Sequence, residues 1–390
     1  MTQQIPPLLS ARDRHLFGPG PKRILSLDGG GVKGALSIAF LERLEKVVEE
    51  IEGKPVLLGD WFDLIGGTST GAIIGCALAL GYRASDIHSF YNSLSNSIFS
   101  RSPWRFAGLQ AKFDARNLMK ELSTIIGQRT LETEDLRTGF AIMTKRLDTG
   151  SPWIVMNNPK SQYWDTPADG SFTGNRHYLL ANLVRASTAA PYYFDPQSIS
   201  IAPNTRPGLF VDGGFSPHNN PSLYLFLMAS LPQFRLSWPS GPENLTIVSI
   251  GTGRYRPTMT QSGVPWLRTI GLTVHALAGQ ISDSEEFVLA LMSWLGESPT
   301  KWTINSELGN LSEVASPNNQ PLFRFLRYNV SLEHKWLEDE LGLKIEEATL
   351  DSYRCMDRPR NIPALYRLGV QAAEKQIRVQ DLAPQPATRP

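Results

Sequence analysis

Residues 62–81 read FDLIGGTSTGAIIGCALALG, a short run apolar but for Asp63, a glycine-rich turn and a helix-length stretch that is apolar on every side. A run as short as FDLI bounded by glycines reads as a strand, and a helix with no polar face must be buried. The same pattern stands upstream. ILSL (24–27) runs into DGGG, and Leu36, Phe40, Leu41, Leu44, Val47, Val48 and Ile51 then recur at helical spacing. FAIMTKRL (140–147), WIVMN (153–157), LFVDGG (209–214) and LTIVSIGTG (245–253) follow as further strands between helical or irregular stretches. Alternating strands and helices predict an α/β fold in which a largely parallel sheet is covered by helices on both faces, with sites at the carboxyl ends of its strands.

Working outward, residues 1–20 carry Pro6, Pro7, Gly18, Pro19 and Gly20 without periodicity and read as an irregular arm before the first strand. The strand-rich core is expected over 21–260. Beyond it the glycine turns stop and helical patterns take over: 275–296, 331–342 and 363–377. A late strand is expected at LFRFLRYNV (322–330). Residues 261–380 are therefore taken as a mainly helical extension packed on the core, and DLAPQPATRP (381–390) as a disordered tail.

The chain has 390 residues, 41% of them apolar, enough for a sizeable core. Its 38 Lys and Arg balance 37 Asp and Glu, so no global field draws it to a nucleic-acid polymer or an anionic membrane, and any membrane contact must be local. The first fifteen residues have no apolar stretch of signal-peptide length. No window approaches the ~20 apolar residues of a membrane span, so the expected location is the cytoplasm, although secretion without a cleaved signal leaves no such mark. Cys76, inside AIIGCALAL, reads as a small buried hydrophobe, and with Cys355 alone there is no disulfide framework. His15, His88, His177 and His334 have no ligand spacing and no carboxylate cluster suggests a calcium loop, so neither a metal nor a cofactor is expected.

Gly67-Thr68-Ser69-Thr70-Gly71 carries the chemistry. A serine on a sharp strand-to-helix turn exposes its hydroxyl, and glycines two residues either side allow a tight turn. Gly29-Gly30-Gly31 opens the earlier helix, where backbone N–H groups can meet an anion. Gly29, Gly31 and Gly34 also match the dinucleotide fingerprint, but the expected acidic residue closing a second strand is missing. A nucleotide P-loop fails because Lys33 is followed by Gly34 and Ala35. Phosphate and oxyanion binding both stay open for this loop alone; the serine motif favours the oxyanion. Asp212, before Gly213 and Gly214, ends another apolar run and can face the same crevice, although an isolated Asp-Gly-Gly usually only stabilises a turn.

DGGGVKG (28–34), GTSTG (67–71), RASTAAPYYF (185–194) and DGG (212–214), in this order, resemble the signature set of patatin-like phospholipases. The resemblance spans roughly residues 22–260. It implies a three-layer α/β/α fold, Ser69 as nucleophile, Asp212 as its base and Gly29, Gly30 and Gly31 as the oxyanion hole. The flanking Asp28, Lys33, Gly34, Gly67, Gly71, Gly213 and Gly214 complete the motifs. The implied reaction cleaves carboxylic esters of membrane lipids through an acyl-enzyme, as a phospholipase A or lysophospholipase does. A carboxylate base needs a partly desolvated site to raise its pKa, and the LFV run before Asp212 agrees with that. The family usually has Arg where this chain has Lys33, so the loop's support is expected to differ. Some bacterial members are switched on by signalling nucleotides, which leaves a small-molecule regulator open.

Ser, Asp, His is also the chain order of an α/β-hydrolase triad, with His218 or His275 as the base of an esterase or thioesterase. Neither histidine sits in a strand-end motif; His218 lies in GFSPHNNP and His275 on a mostly apolar helical stretch. A lipid-binding protein without catalysis is the third alternative, and loss of the serine, the aspartate or the glycine loop would favour it; none is lost. RASTAAPYYF reads either as a wall beside an acyl chain or as helix-to-sheet packing. Peripheral contact with a lipid surface is expected from residues 94–109, where Phe99, Trp104 and Phe106 alternate with Arg101 and Arg105; packing of these aromatics onto the sheet is the other reading.

Overall fold

The computed structural model describes residues 9–98, 111–257 and 268–383. Eight strands form one sheet: β1 (Lys22–Leu27), β2 (Leu64–Thr68), β3 (Gly139–Arg146), β4 (Pro152–Met156), β5 (Gln197–Ile199), β6 (Gly208–Asp212), β7 (Leu245–Ile250) and β8 (Arg324–Tyr328). Their order is β5-β6-β3-β2-β1-β7-β8, with β4 also paired to β3. The five strands from β3 through β2, β1 and β7 to β8 are parallel. The remaining joins, β3 to β4, β3 to β6 and β5 to β6, are antiparallel, so the sheet is mixed.

The helices are α1 (Ala11–Phe17), α2 (Gly34–Glu52), α3 (Leu58–Trp61), α4 (Thr70–Ala79), α5 (Ala84–Ile98), α6 (Ala115–Ile126), α7 (Leu180–Ser187) and α8 (Ser222–Ser230). After β7 come α9 (Arg268–Leu295), α10 (His334–Leu341), α11 (Glu347–Arg354), α12 (Ile362–Gln376) and α13 (Val379–Leu382). Strand side chains alternate between two cores. Leu25, Leu27, Val248 and Leu326 pack with α2, α4 and α12 on one face, while Ile24, Leu64, Ile247 and Phe325 pack with α8 and α9 on the other. This is the three-layer arrangement expected from the apolar runs. All ten residues of α4 are buried, as its uniform hydrophobicity requires. Gly53 ends α2 in the left-handed region at φ 65°, where a glycine costs least.

Three local expectations change. The arm before β1 is not wholly irregular: Ser10 caps α1 by accepting the Asp13 N–H, and Leu16 is buried against the sheet while its carbonyl accepts from Trp238 Nε1 at 2.9 Å. A seven-residue helix carries too little periodicity to stand out between prolines and glycines. The first residues of the expected tail are helical, because α13 reaches Leu382, whose side chain is buried; residues 384–390 lie outside the described residues. The extension expected to pack on the core also enters the sheet: the expected late strand is present as β8, beside β7. The aromatic and basic residues of the 94–109 segment, Phe99 to Phe106, lie outside the described residues.

Candidate active site

β2 and β6 approach one another end to end along β3. Thr68, the last residue of β2, is opposite Met143, and Asp212, the last residue of β6, is opposite Thr144. Because β6 runs antiparallel to β3, its carboxyl end meets that of β2 instead of pointing to the far side of the sheet. Thr68 and Asp212 are thereby placed on adjacent rungs, which brings Ser69, 143 positions from Asp212 in the chain, beside the carboxylate whose pKa its hydroxyl lowers.

Ser69 is held at φ 53° and ψ −121°, a region that a residue with a side chain rarely adopts. Its amide donates to Ser187 Oγ at 2.9 Å, and that hydroxyl donates to Met143 O at 2.6 Å. α7 therefore ties the strained turn to the end of β3. The same helix end touches the second residue of the pair: Ala189 O accepts the Asp212 N–H at 3.1 Å. Asp212 is buried, and burial lifts its carboxyl from 3.8 to about 6; the Ser69 hydroxyl, the Gly214 amide at 2.7 Å and the positive Arg185 hold it from rising further. Arg185 is itself buried on α7, with Nη2 donating to Asp195 O at 2.7 Å and its group pulled down to about 10 by desolvation. Ser187 and Arg185 lie in the RASTAAPYYF motif, but their part at the site was invisible in the sequence because their partners are a backbone amide and a remote carboxylate.

The glycine loop lies across from this pair. A Cβ placed on Gly29 would be 3.3 Å from Ser69 Cβ, so the backbone passes close over the serine. The Gly29 amide is already committed to Asn219 O at 3.1 Å. No bond from the Gly30 or Gly31 amide to the protein is found among the described residues, so of the three glycines only Gly29 has its amide committed. Gly31 takes φ 58°, and its carbonyl accepts from Tyr91 Oη at 2.6 Å. Lys33 is buried, donates to Gly253 O at 2.9 Å and stands 5.2 Å from the Tyr255 ring; desolvation lowers it to about 8. Its contact is a single carbonyl, which a point cation serves as well as a planar fork.

Ser69, Asp212 and the three glycines line a cavity of about 700 Å³. Its lining includes the apolar Ile73, Leu94, Leu118 and Phe194 and also Tyr255, Glu285 and Arg354. Of the RASTAAPYYF segment, Ala190 to Phe194 line the cavity too, while Ala186 is buried in the core. His218 takes no part. Its ring meets Tyr224 edge-on at 4.7 Å, its backbone carbonyl accepts from Thr68 Oγ1 at 2.5 Å, and burial lowers its pKa. Among the described residues no histidine bonds Ser69 or Asp212; the side chain of His275 is not among those described. Among the described residues, no group of His, Cys, Asp or Glu is placed to hold a metal ion, and no helix is long and apolar enough to cross a membrane.

A sequence model of the patatin-like phospholipase family matches residues 25–226. The cGAMP-activated phospholipase of Vibrio cholerae is 29% identical over 59% of this chain and 64% of its own length. Patatin-like protein 4 of Arabidopsis thaliana is 30% identical over 59% of this chain and 59% of its own. Among solved structures, human GIVD cytosolic phospholipase A2 aligns over 95% of this chain and 62% of its own, at 13% identity and a TM-score of 0.46. The chain thus spans less than two thirds of the length of these relatives. The family match covers more than half of the chain and contains the serine turn, the glycine loop and the aspartate turn in one cavity: this chain belongs to the patatin-like phospholipase family.

Proposed function

We propose that this protein is a lipid acyl hydrolase of phospholipase A or lysophospholipase type, working through Ser69 and Asp212. The observation that carries the reading is that Ser69, on a strained turn, and the buried Asp212 carboxylate line one largely apolar cavity large enough for an acyl chain. In the first step Asp212 takes the Ser69 proton as Oγ bonds to the ester carbonyl carbon. The carbonyl oxygen becomes an oxyanion facing the Gly30 and Gly31 amides. The tetrahedral adduct then collapses, the ester C–O bond breaks, and the leaving alcohol takes the proton from Asp212. Water repeats the sequence on the acyl-enzyme, releasing the fatty acid and restoring Ser69.

Liposomes treated with the wild type and with Ser69→Ala, followed by mass spectrometry of the lipids, test the proposal. Free fatty acid and lysolipid are expected from the wild type alone. Equal release by both proteins would overturn the role of Ser69, and no release by the wild type on any phospholipid or lysophospholipid would overturn the activity. His218→Ala is expected to keep wild-type turnover. The Vibrio cholerae relative is named for activation by cGAMP, so the assay is run with and without that nucleotide. A peripheral approach to the lipid surface through residues 94–109 is part of the proposal. Trp104→Ala with Phe106→Ala is expected to cut liposome hydrolysis about tenfold, the partition loss for ~1.4 kcal/mol, while sparing a short soluble ester.

A further inference from the structure

The glycine loop is not self-supporting. Thr252 Oγ1 donates to Gly29 O at 2.7 Å, Met356 O accepts the Val32 amide at 2.9 Å, and Gly253 O accepts from Lys33. Its stem is held by charge. Asp28, directly before Gly29, lies 2% exposed and receives both ends of the Arg327 guanidinium, Nη1 at 3.1 Å and Nη2 at 2.6 Å. Arg327 is on β8, two strands away. Its Nη1 also donates to Ser249 Oγ at 2.7 Å, and its Nη2 to Glu285 Oε1 of α9 at 2.8 Å. Glu285 in turn lines the cavity. Every one of these supports comes from beyond residue 226, where the family match ends.

We propose that Arg327 is a positioning residue for the oxyanion loop: by clamping Asp28 and Glu285 from β8, it lets the C-terminal part of the chain set where the Gly30 and Gly31 amides point. The inference rests on the hydrolase reading above. A two-pronged guanidinium fixes a carboxylate in angle as well as distance, which a point charge does not. The loop it anchors must place two amides within hydrogen-bond reach of an oxygen that carries charge only in the transition state. Loss of the clamp therefore acts on turnover before it acts on substrate binding.

The experiment compares wild type, Arg327→Lys and the doubly changed Asp28→Asn/Arg327→Met, which leaves no unpaired charge at Asp28 should the single variant fail to fold. Each is assayed on 4-nitrophenyl butyrate and on its thionoester, whose sulfur is a poor acceptor for oxyanion-hole amides. Arg327→Lys is expected to lose at least tenfold in kcat with KM within twofold, and the ratio of ester to thionoester rates is expected to fall. A merely structural role would lower both rates together. Hydrogen exchange of residues 28–34 supplies a readout independent of activity: it is expected to quicken in both variants while residues 140–146 stay protected. Equal loss on both esters, or unchanged exchange in 28–34, would overturn the inference. If the wild type hydrolyses neither ester nor lipid, the hydrolase reading fails on its own, and the exchange result still decides whether Arg327 holds the loop.

Discussion

In its proposed role as base, Asp212 depends on the same burial that makes it costly to fold. Its carboxyl is raised from 3.8 to about 6 by burial, so above that pH the folded protein carries a desolvated charge the unfolded chain keeps in water. The sign follows from linkage: a raised acid lowers stability progressively as pH climbs from about 4 to about 6, by at most about 3 kcal/mol, and by a constant amount above. Asp212→Asn is accordingly expected to abolish turnover yet raise the melting temperature by a few degrees at pH 7.5, with little difference near pH 4; paired thermal scans check this. For the wild type, kcat/KM is expected to rise through an apparent pKa near 6, and an acid limb near 4 would place the carboxylate in contact with solvent. At the glycine loop, a Cβ on Gly30 would stand 2.1 Å from Thr252 Oγ1 and 2.5 Å from Thr252 Cβ. Gly30→Ala is expected to cost at least about a hundredfold in kcat, the scale of one lost oxyanion donor, measured against an unchanged fold by circular dichroism. Each of these motifs alone has other uses; they were legible in the sequence through their conjunction, three glycine turns at strand ends with a serine in one and an aspartate in another. The commitment of the Gly29 amide to Asn219 was not, since a backbone-to-backbone bond leaves no mark on either residue's identity.

Elements supply what the motifs leave out. α7 ends with Ser187 gripping the Ser69 amide and Ala189 gripping that of Asp212, so one helix end sets the spacing of the pair. Ser187→Ala leaves the Ser69 amide and Met143 O without their bonds in a buried place, a loss of about 1–3 kcal/mol. Both a lower melting temperature and a drop in kcat of ten- to a hundredfold are expected, with KM little changed; steady-state kinetics on a soluble ester reads the split. The strand-turn-helix units around residues 24–51 and 62–79 could be read from apolar runs because run length and flanking glycines distinguish strand from helix. Strand direction could not. FVD in β6 has the same local pattern whether its neighbour is parallel or antiparallel, and only the Thr144 to Asp212 register reveals that β2 and β6 meet tip to tip.

For the whole molecule, the part beyond residue 260 is no appendage. β8 completes the sheet beside β7, α12 lies on α2 with Gly369 close against Ala39 and Leu36, and Met356 reaches the glycine loop. The sequence announced helices here but not their attachment, because the apolar stripe of a helix does not say which surface it covers. Ending the chain at residue 257 is expected to abolish hydrolysis, as assayed on the soluble ester. The pairing of β7 with β8 has one further consequence. Five residues of β7, Thr246 to Ile250, are satisfied on that side by β8 alone, and four of the six residues in β7 are fully or almost fully buried apolar side chains: Leu245, Ile247, Val248 and Ile250. Without β8 that flank becomes an open, apolar, parallel edge, the kind of template onto which other chains add strands. The truncated protein should therefore be lost to insoluble, thioflavin-positive aggregate rather than to a soluble unfolded state.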